Sequence, residues 1–386
     1  MSPARLLTPG PTPVPPGAAA RGAEQPVYHR SPEFRDILRR VTSNLQYLFQ
    51  TSQPVLTLTA SATGAVEATV LNLFSPGDTV ICACNGRFAE RWWAMLGMYG
   101  MRVIDLPFEW GEPVDPAALR HALRGNPGVR GVYLTHCETS TGTVSDIGAL
   151  AAAVHEGSDA LVCVDSVTAA GALELRFDDW KLDACVAGSQ KGLMTPPGVS
   201  CVALSPRAIA AMERATLPRM YFDFQRALKA LEGGDTPWTP ASTLIAMLDE
   251  SLRLIRDEGM EHVWSRHRRL GAAFRAAASA MDLRLVSSAP AETLTALWLP
   301  GGVSWPALNT RLRDAEGMVA ARGQGKLAGK IFRVAHMGYV AGEDIVRAVE
   351  GLARALSACG HAADAERAAS TVRREMEQNT EALKTL

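Results

Sequence analysis

No stretch of this 386-residue chain stays apolar long enough to span a membrane, which argues against a helical membrane protein. An excess of one charge is missing too: 39 Lys plus Arg stand against 40 Asp plus Glu, and no broad basic field points to nucleic acid. No charged-then-apolar leader opens the chain, and no internal repeat is visible. The seven cysteines are an odd number and scattered, with only Cys82 and Cys84 close together. Most lie in apolar strand-like runs, so they read as small core residues and reduced thiols, and a cytoplasmic location is expected. His136-Cys137-Glu138 has the H-x-E form of a zinc deaminase, but no P-C-x-x-C follows, so no metal site is expected. Ala321 to Lys326 (ARGQGK) lacks the spacing of a phosphate loop and fits no dinucleotide fingerprint. What remains is ordinary globular composition, at a length that suits two domains.

The stretch Leu161 to Gly198 carries the chemistry. Leu161-Val162-Cys163-Val164 is a short apolar run rich in branched residues, as in a buried parallel strand, and it ends on Asp165. An acid there stands at a strand's carboxyl end, where open α/β sheets bind ligands. A second run, Ala184 to Ala187, leads into Gly188-Ser189-Gln190-Lys191-Gly192. Lys191 is either a solvated loop lysine or a desolvated one that attacks carbonyls. Asp165 favours the second reading. Pyridoxal phosphate chemistry requires a lysine to form a Schiff base and a carboxylate to keep the pyridine nitrogen protonated.

VDSVTAAGA followed by GSQKGLMTPPG resembles the class V, fold-type I aminotransferases, above all the alanine–glyoxylate and serine–pyruvate group. The likeness runs from Thr8-Pro9-Gly10 to about Tyr339. It implies an α/β fold-type I PLP-transferase, with a large domain built on a mostly parallel seven-stranded sheet and a smaller C-terminal α+β domain. The expected division is an N-terminal entrance segment over 1–30, a large cofactor domain over 31–250 and a small domain over 251–386. The implied activity is transfer of the amino group of a small L-amino acid, alanine or serine, to glyoxylate or pyruvate by a ping-pong route, with Lys191 holding pyridoxal 5'-phosphate. The implied assembly is a homodimer with shared active sites.

Other stretches gain roles from the same resemblance. Ser61, Ala62 and Thr63 precede an apolar-periodic helix; by themselves they are either a simple N-cap or an anion site, and in the family they hold the cofactor phosphate. Phe88 is a core residue at a helix start or the ring that stacks on the pyridine. Thr139, in HCETSTG, falls beside the cofactor's phenolic oxygen or on the phosphate side; Val167 packs beneath the ring; Gln190 reaches toward the phosphate. One of Thr236 and Thr239, in a proline-rich loop, reaches the neighbouring subunit's phosphate.

Residues 1 to about 30 are too rich in proline for regular helix and by composition read as a loose tail, whereas the resemblance implies a strap over the entrance, with Gly10 near the substrate carboxylate. Arg333 lies in an apolar strand, where an unpaired guanidinium is costly: by itself it reads as a structural ion-pair partner, whereas the resemblance implies a bidentate clamp for the amino-acid carboxylate. Two rivals share much of this pattern. A cysteine desulfurase needs a loop cysteine that Val319 to Arg333 lacks, and a non-catalytic interaction subunit has no use for intact Lys191, Asp165 and Arg333.

Overall fold

The computed structural model describes residues 5–384. Residues 1–4, within the expected entrance segment, and residues 385–386 lie outside the described residues. Seven strands form the main sheet: β1 Val55–Leu58, β2 Thr79–Cys84, β3 Arg102–Pro107, β4 Gly131–Thr135, β5 Leu161–Asp165, β6 Ala184–Gly188 and β7 Ser200–Leu204. Their spatial order is β1-β7-β6-β5-β4-β2-β3. Only β7 runs against its neighbours; the pairs from β6 across to β3 are all parallel. The fold is therefore the expected mixed α/β one, with a mostly parallel seven-stranded sheet.

Alternation along the strands explains the layering. Val162 and Val164 of β5 join one apolar core with Ile81 and Ala83 of β2, whereas Leu161 and Cys163 join a second core with Val80 and Cys82. Successive side chains point to opposite faces, so both faces of the sheet are covered and its strands read as continuous apolar runs. Helix α1 (Pro32–Phe49) covers the first face, with Ser31 accepting from the Phe34 amide as its cap. Helices α2 (Ala62–Leu73) and α3 (Arg87–Met98) cover the second.

Two consecutive helices follow, α4 (Ser242–Glu258) and α5 (Met260–Ala280). They break at Gly259, whose φ of 84° lies in the left-handed region that glycine tolerates. The start of α5 packs Met260, Val263 and Trp264 into the first core, and its later turns pack Leu270 and Phe274 into a separate C-terminal core. That core is completed by helices α6 (Gly342–Ala358) and α7 (Ala365–Lys384) and by an antiparallel sheet of β8 Leu294–Trp298, β9 Ala321–Arg322 and β10 Ile331–Ala335, in the order β8-β10-β9. Leu285 adds one isolated antiparallel bridge to Leu297.

The proline-rich N-terminus differs from its expectation in one respect, a short helix at Pro16–Gly22. Pro16 occupies the first turn, where its fixed φ suits a helix and its missing N–H costs no bond. Upstream the chain is a strap. Arg5–Leu6 pairs with Met318–Val319, and the Ala335 amide donates to the Leu7 carbonyl. The Thr12 amide donates to the Gln190 carbonyl, and Thr12 Oγ1 to that of Lys191. The strap therefore bridges the C-terminal sheet and the lysine loop.

Candidate active site

Asp165 ends β5 at the centre of the sheet, with its carboxylate buried. Oδ1 accepts from the Val167 amide and Oδ2 from Trp92 Nε1 on α3, at 2.9 and 2.8 Å. Burial outweighs these donors and the positive charge of Lys191, and pushes the carboxyl up to about 6. Lys191 follows β6 in a turn that admits little side chain: a Cβ on Gly192 would lie 2.3 Å from the Ala170 carbonyl oxygen. Lys191 Nζ donates to the Pro9 carbonyl at 2.5 Å. Burial first, then the nearby Arg333 charge, lowers its ammonium to about 8. Gly10 has φ +145°, and a Cβ there would meet Nζ at 2.4 Å. Here glycine is required both by conformation and by space.

A cleft of about 110 Å³ brings Lys191 and Asp165 together with Ser61, Ala62, Thr63, Phe88, Thr139, Val167 and Gln190. Its far end is suited to an anion. Ser61 stands at the N-cap of α2 but makes no side-chain cap bond, so its hydroxyl and the first amides of the helix remain free for a ligand. The Gln190 amide oxygen is buried with no donor, and the alternative amide orientation would present N–H groups instead. Phosphate at this end, an aromatic ring between Phe88 and Val167 and a ring nitrogen near Asp165 match the chemistry of pyridoxal phosphate, so these residues fit that group.

Arg333 is buried on β10. Its Nε and Nη2 donate to the Arg322 carbonyl and its Nη1 to that of Thr139, at 2.8–3.1 Å. All its hydrogen bonds among the described residues go to backbone, so the ion-pair reading of Arg333 is not realised there. Burial lowers its guanidinium to about 10, which leaves it charged at neutral pH. Glu138 shapes the intervening loop. Its Oε2 accepts from the Phe88 and Ala89 amides at the start of α3, and its Oε1 accepts from the Ser140 amide and hydroxyl. This buried carboxylate fixes where Phe88 enters the cleft.

Thr236 and Thr239 are not brought to this cleft within the chain. They line a second cavity with Thr57, Leu58, Thr59, Tyr221 and Trp238. Thr236 Oγ1 donates to the Trp238 carbonyl, whereas Thr239 is exposed. Sequence reasoning missed Arg91, Trp92, Cys137 and Thr168, which also line the first cleft. Trp92 was within reach of a helix-face argument, since it follows Phe88 by four residues and so shares its side of α3. The Pro9 carbonyl had no signal, because any residue supplies that group.

The aminotransferase class-V family model matches residues 18–325. The soluble hydrogenase 42 kDa subunit of Anabaena cylindrica is 39% identical over 360 residues, 92% of this chain and 94% of its own length. The L-aspartate–glyoxylate aminotransferase of Paracoccus denitrificans is 35% identical over 341 residues, 86% of each chain. Among solved structures, a subgroup IV aspartate aminotransferase from Thermus thermophilus is 34% identical and superposes with a TM-score of 0.86, over 92% of this chain and 99% of that one.

Proposed function

This chain belongs to the class-V aminotransferases and is a pyridoxal-phosphate enzyme, and from that premise we propose that it transfers the amino group of a small L-amino acid, alanine or serine, to glyoxylate or pyruvate. The observation that carries this reading is Arg333. Its guanidinium is buried and charged, has no acidic partner among the described residues, and is close enough to depress the Lys191 pKa. A substrate α-carboxylate is the anion such a group lacks. Arg219 is committed to the carbonyls of Leu71, Met212, Ala215 and Leu217 and is not free to read a second carboxylate.

Bound pyridoxal phosphate supplies an electron sink for the carbanion formed at the substrate α-carbon. Ser61, Ala62, Thr63 and Gln190 would hold its phosphate, Phe88 and Val167 its ring, Thr139 its edge and Lys191 its aldehyde carbon. Asp165 would keep a proton on the ring nitrogen. Arg333 orients the substrate by its carboxylate, and Gly10 leaves room beside the lysine. With its pKa lowered toward 8, Lys191 Nζ is partly neutral near neutral pH and moves the proton from the substrate α-carbon. One half-reaction releases the keto acid before the other begins, so the kinetics are ping-pong.

The test is the visible spectrum of the holoenzyme on addition of single amino acids. Alanine or serine should bleach the cofactor band, and glyoxylate or pyruvate should restore it. Bleaching by aspartate alone would replace this donor assignment with an aspartate-type one. No bleaching by any amino acid, with cofactor bound, would favour a binding subunit.

The active protein is a symmetric homodimer in this reading. Thr239 is exposed and makes no hydrogen bond among the described residues, so it is the threonine available to a partner's phosphate, while the Thr236 hydroxyl is already used. Exposed Trp93, Met98, Met220 and Tyr221 supply apolar surface for such a contact. Equilibrium sedimentation should return twice the chain mass at micromolar concentration, and a monomer with full activity would end the shared-site reading. All seven cysteines are free thiols, which suits a reducing cytoplasm.

A further inference from the structure

The anion end of the cleft, as assigned above, lacks a fixed positive charge in that assignment. Helix α2 offers amides and a hydroxyl, Gln190 offers an amide, and Lys191 is engaged at the aldehyde end. A phosphate dianion held by dipoles alone leaves most of its charge unbalanced.

Arg91 stands at that end. It lies on α3 one turn beyond Phe88, with its guanidinium carbon 4.9 Å from the Phe88 ring centroid. Nη1 is 3.3 Å from Thr63 Oγ1, at the mouth of the α2 terminus. The side chain is exposed and lines the cofactor cleft. It forms no ion pair among the described residues. The helix surface offers none: residues three and four positions away are Arg87, Phe88, Ala94 and Met95. The neighbouring acids are taken, since Glu90 accepts from Trp110 Nε1 and Glu67 from the Tyr99 hydroxyl. An exposed arginine usually finds an acid or extends into solvent. This one is folded back over an aromatic ring toward a helix N-terminus.

We propose that Arg91 is a ligand of the cofactor phosphate, a fixed cation that this chain contributes to the anion end of its own cleft. Its planar fork can pair two phosphate oxygens, which a lysine in the same place cannot match. The contact with Phe88 holds the side chain at the mouth and limits the freedom lost on binding. The proposal rests on the reading that Ser61, Ala62, Thr63 and Gln190 form the phosphate end.

The experiment compares two ligands that share a ring and an aldehyde but differ in the phosphate. Apoprotein of the wild type, Arg91→Gln and Arg91→Lys is titrated with pyridoxal phosphate and with pyridoxal, followed by absorbance. Arg91→Gln should weaken pyridoxal phosphate by about 10- to 100-fold, the range for loss of a charge-assisted hydrogen bond, and leave pyridoxal within about twofold. Arg91→Lys should fall between. Pyridoxal binding doubles as the check that the variant is folded. Equal losses for both ligands, or none, would overturn the Arg91 assignment while leaving the phosphate end intact. So would unchanged cofactor binding with a raised KM for aspartate alone, which would make Arg91 a reader of the substrate side chain. A wild type that binds the two ligands equally would remove the phosphate end itself, and the proposal with it.

Discussion

At the scale of single residues, the site depends on a buried acid being ionised against its environment. Asp165 is pushed up to about 6 by burial, and the Trp92 indole N–H is one of the groups that pull it back. Trp92→Phe keeps most of the packing and removes that donor. A hydrogen bond to a buried charge is worth about 1.5–3 kcal/mol, so the Asp165 pKa should rise by about 1–2 units. A higher pKa means less carboxylate at any given pH, and less power to hold the ring-nitrogen proton. The apoprotein of Trp92→Phe should therefore bind pyridoxal phosphate several-fold more weakly than wild type at pH 6–7. The gap should close by about pH 8.5, where both carboxyls are ionised. Titrations across that range decide the matter: a deficit that is the same at every pH would reduce the indole to a packing role.

At the scale of elements, what the sequence disclosed tracks how local each signal is. Strand β5 with Asp165, and β6 with the lysine turn, are contiguous runs whose period and ending are visible in one short stretch. The residues around them, Ser61 to Thr63, Phe88, Thr139, Val167 and Gln190, lie just beyond the carboxyl ends of strands, and the structure gathers them in one cleft. Arg333 was conspicuous as a charge in an apolar strand. What stayed hidden depends on contacts between distant segments. Trp92 matters only because α3 lies against the end of β5, and the Pro9 carbonyl only because the strap crosses the lysine turn. The break at Gly259 is not legible in the sequence, because a single glycine is tolerated within a helical pattern and only its positive φ marks a break. The helix at Pro16–Gly22 was missed for the opposite reason: proline was read as a breaker, although at a first turn it is compatible with helix.

At the scale of the whole molecule, three buried histidines must stay neutral. His136, behind the active-site loop, is lowered to about 4, and His267 and His336 to about 3, each chiefly by burial. His267 shows why. Its Nδ1 faces the Val263 carbonyl while Nε2 accepts the Gly338 amide, a role that an imidazolium cannot fill. An unfolded chain protonates these groups near 6.5 and the folded one does not, so unfolding takes up protons in this window. Stability is then complete above about pH 7 and falls as the pH drops toward 4. Asp165 and Glu138, both raised by burial, work in the other direction, because the folded state keeps their protons where the unfolded chain releases them. Three groups oppose two. From pH 7 to 5 each histidine loses about 2 kcal/mol and Asp165 recovers about 1, with Glu138 offsetting a further part in the same direction as Asp165, and the three histidines set the sign. Calorimetry of the apoprotein should find a lower Tm at pH 5 than at pH 7. A Tm that holds or rises would mean that the buried carboxyls govern its acid response, and that the histidines accept protons without loosening the junctions they occupy.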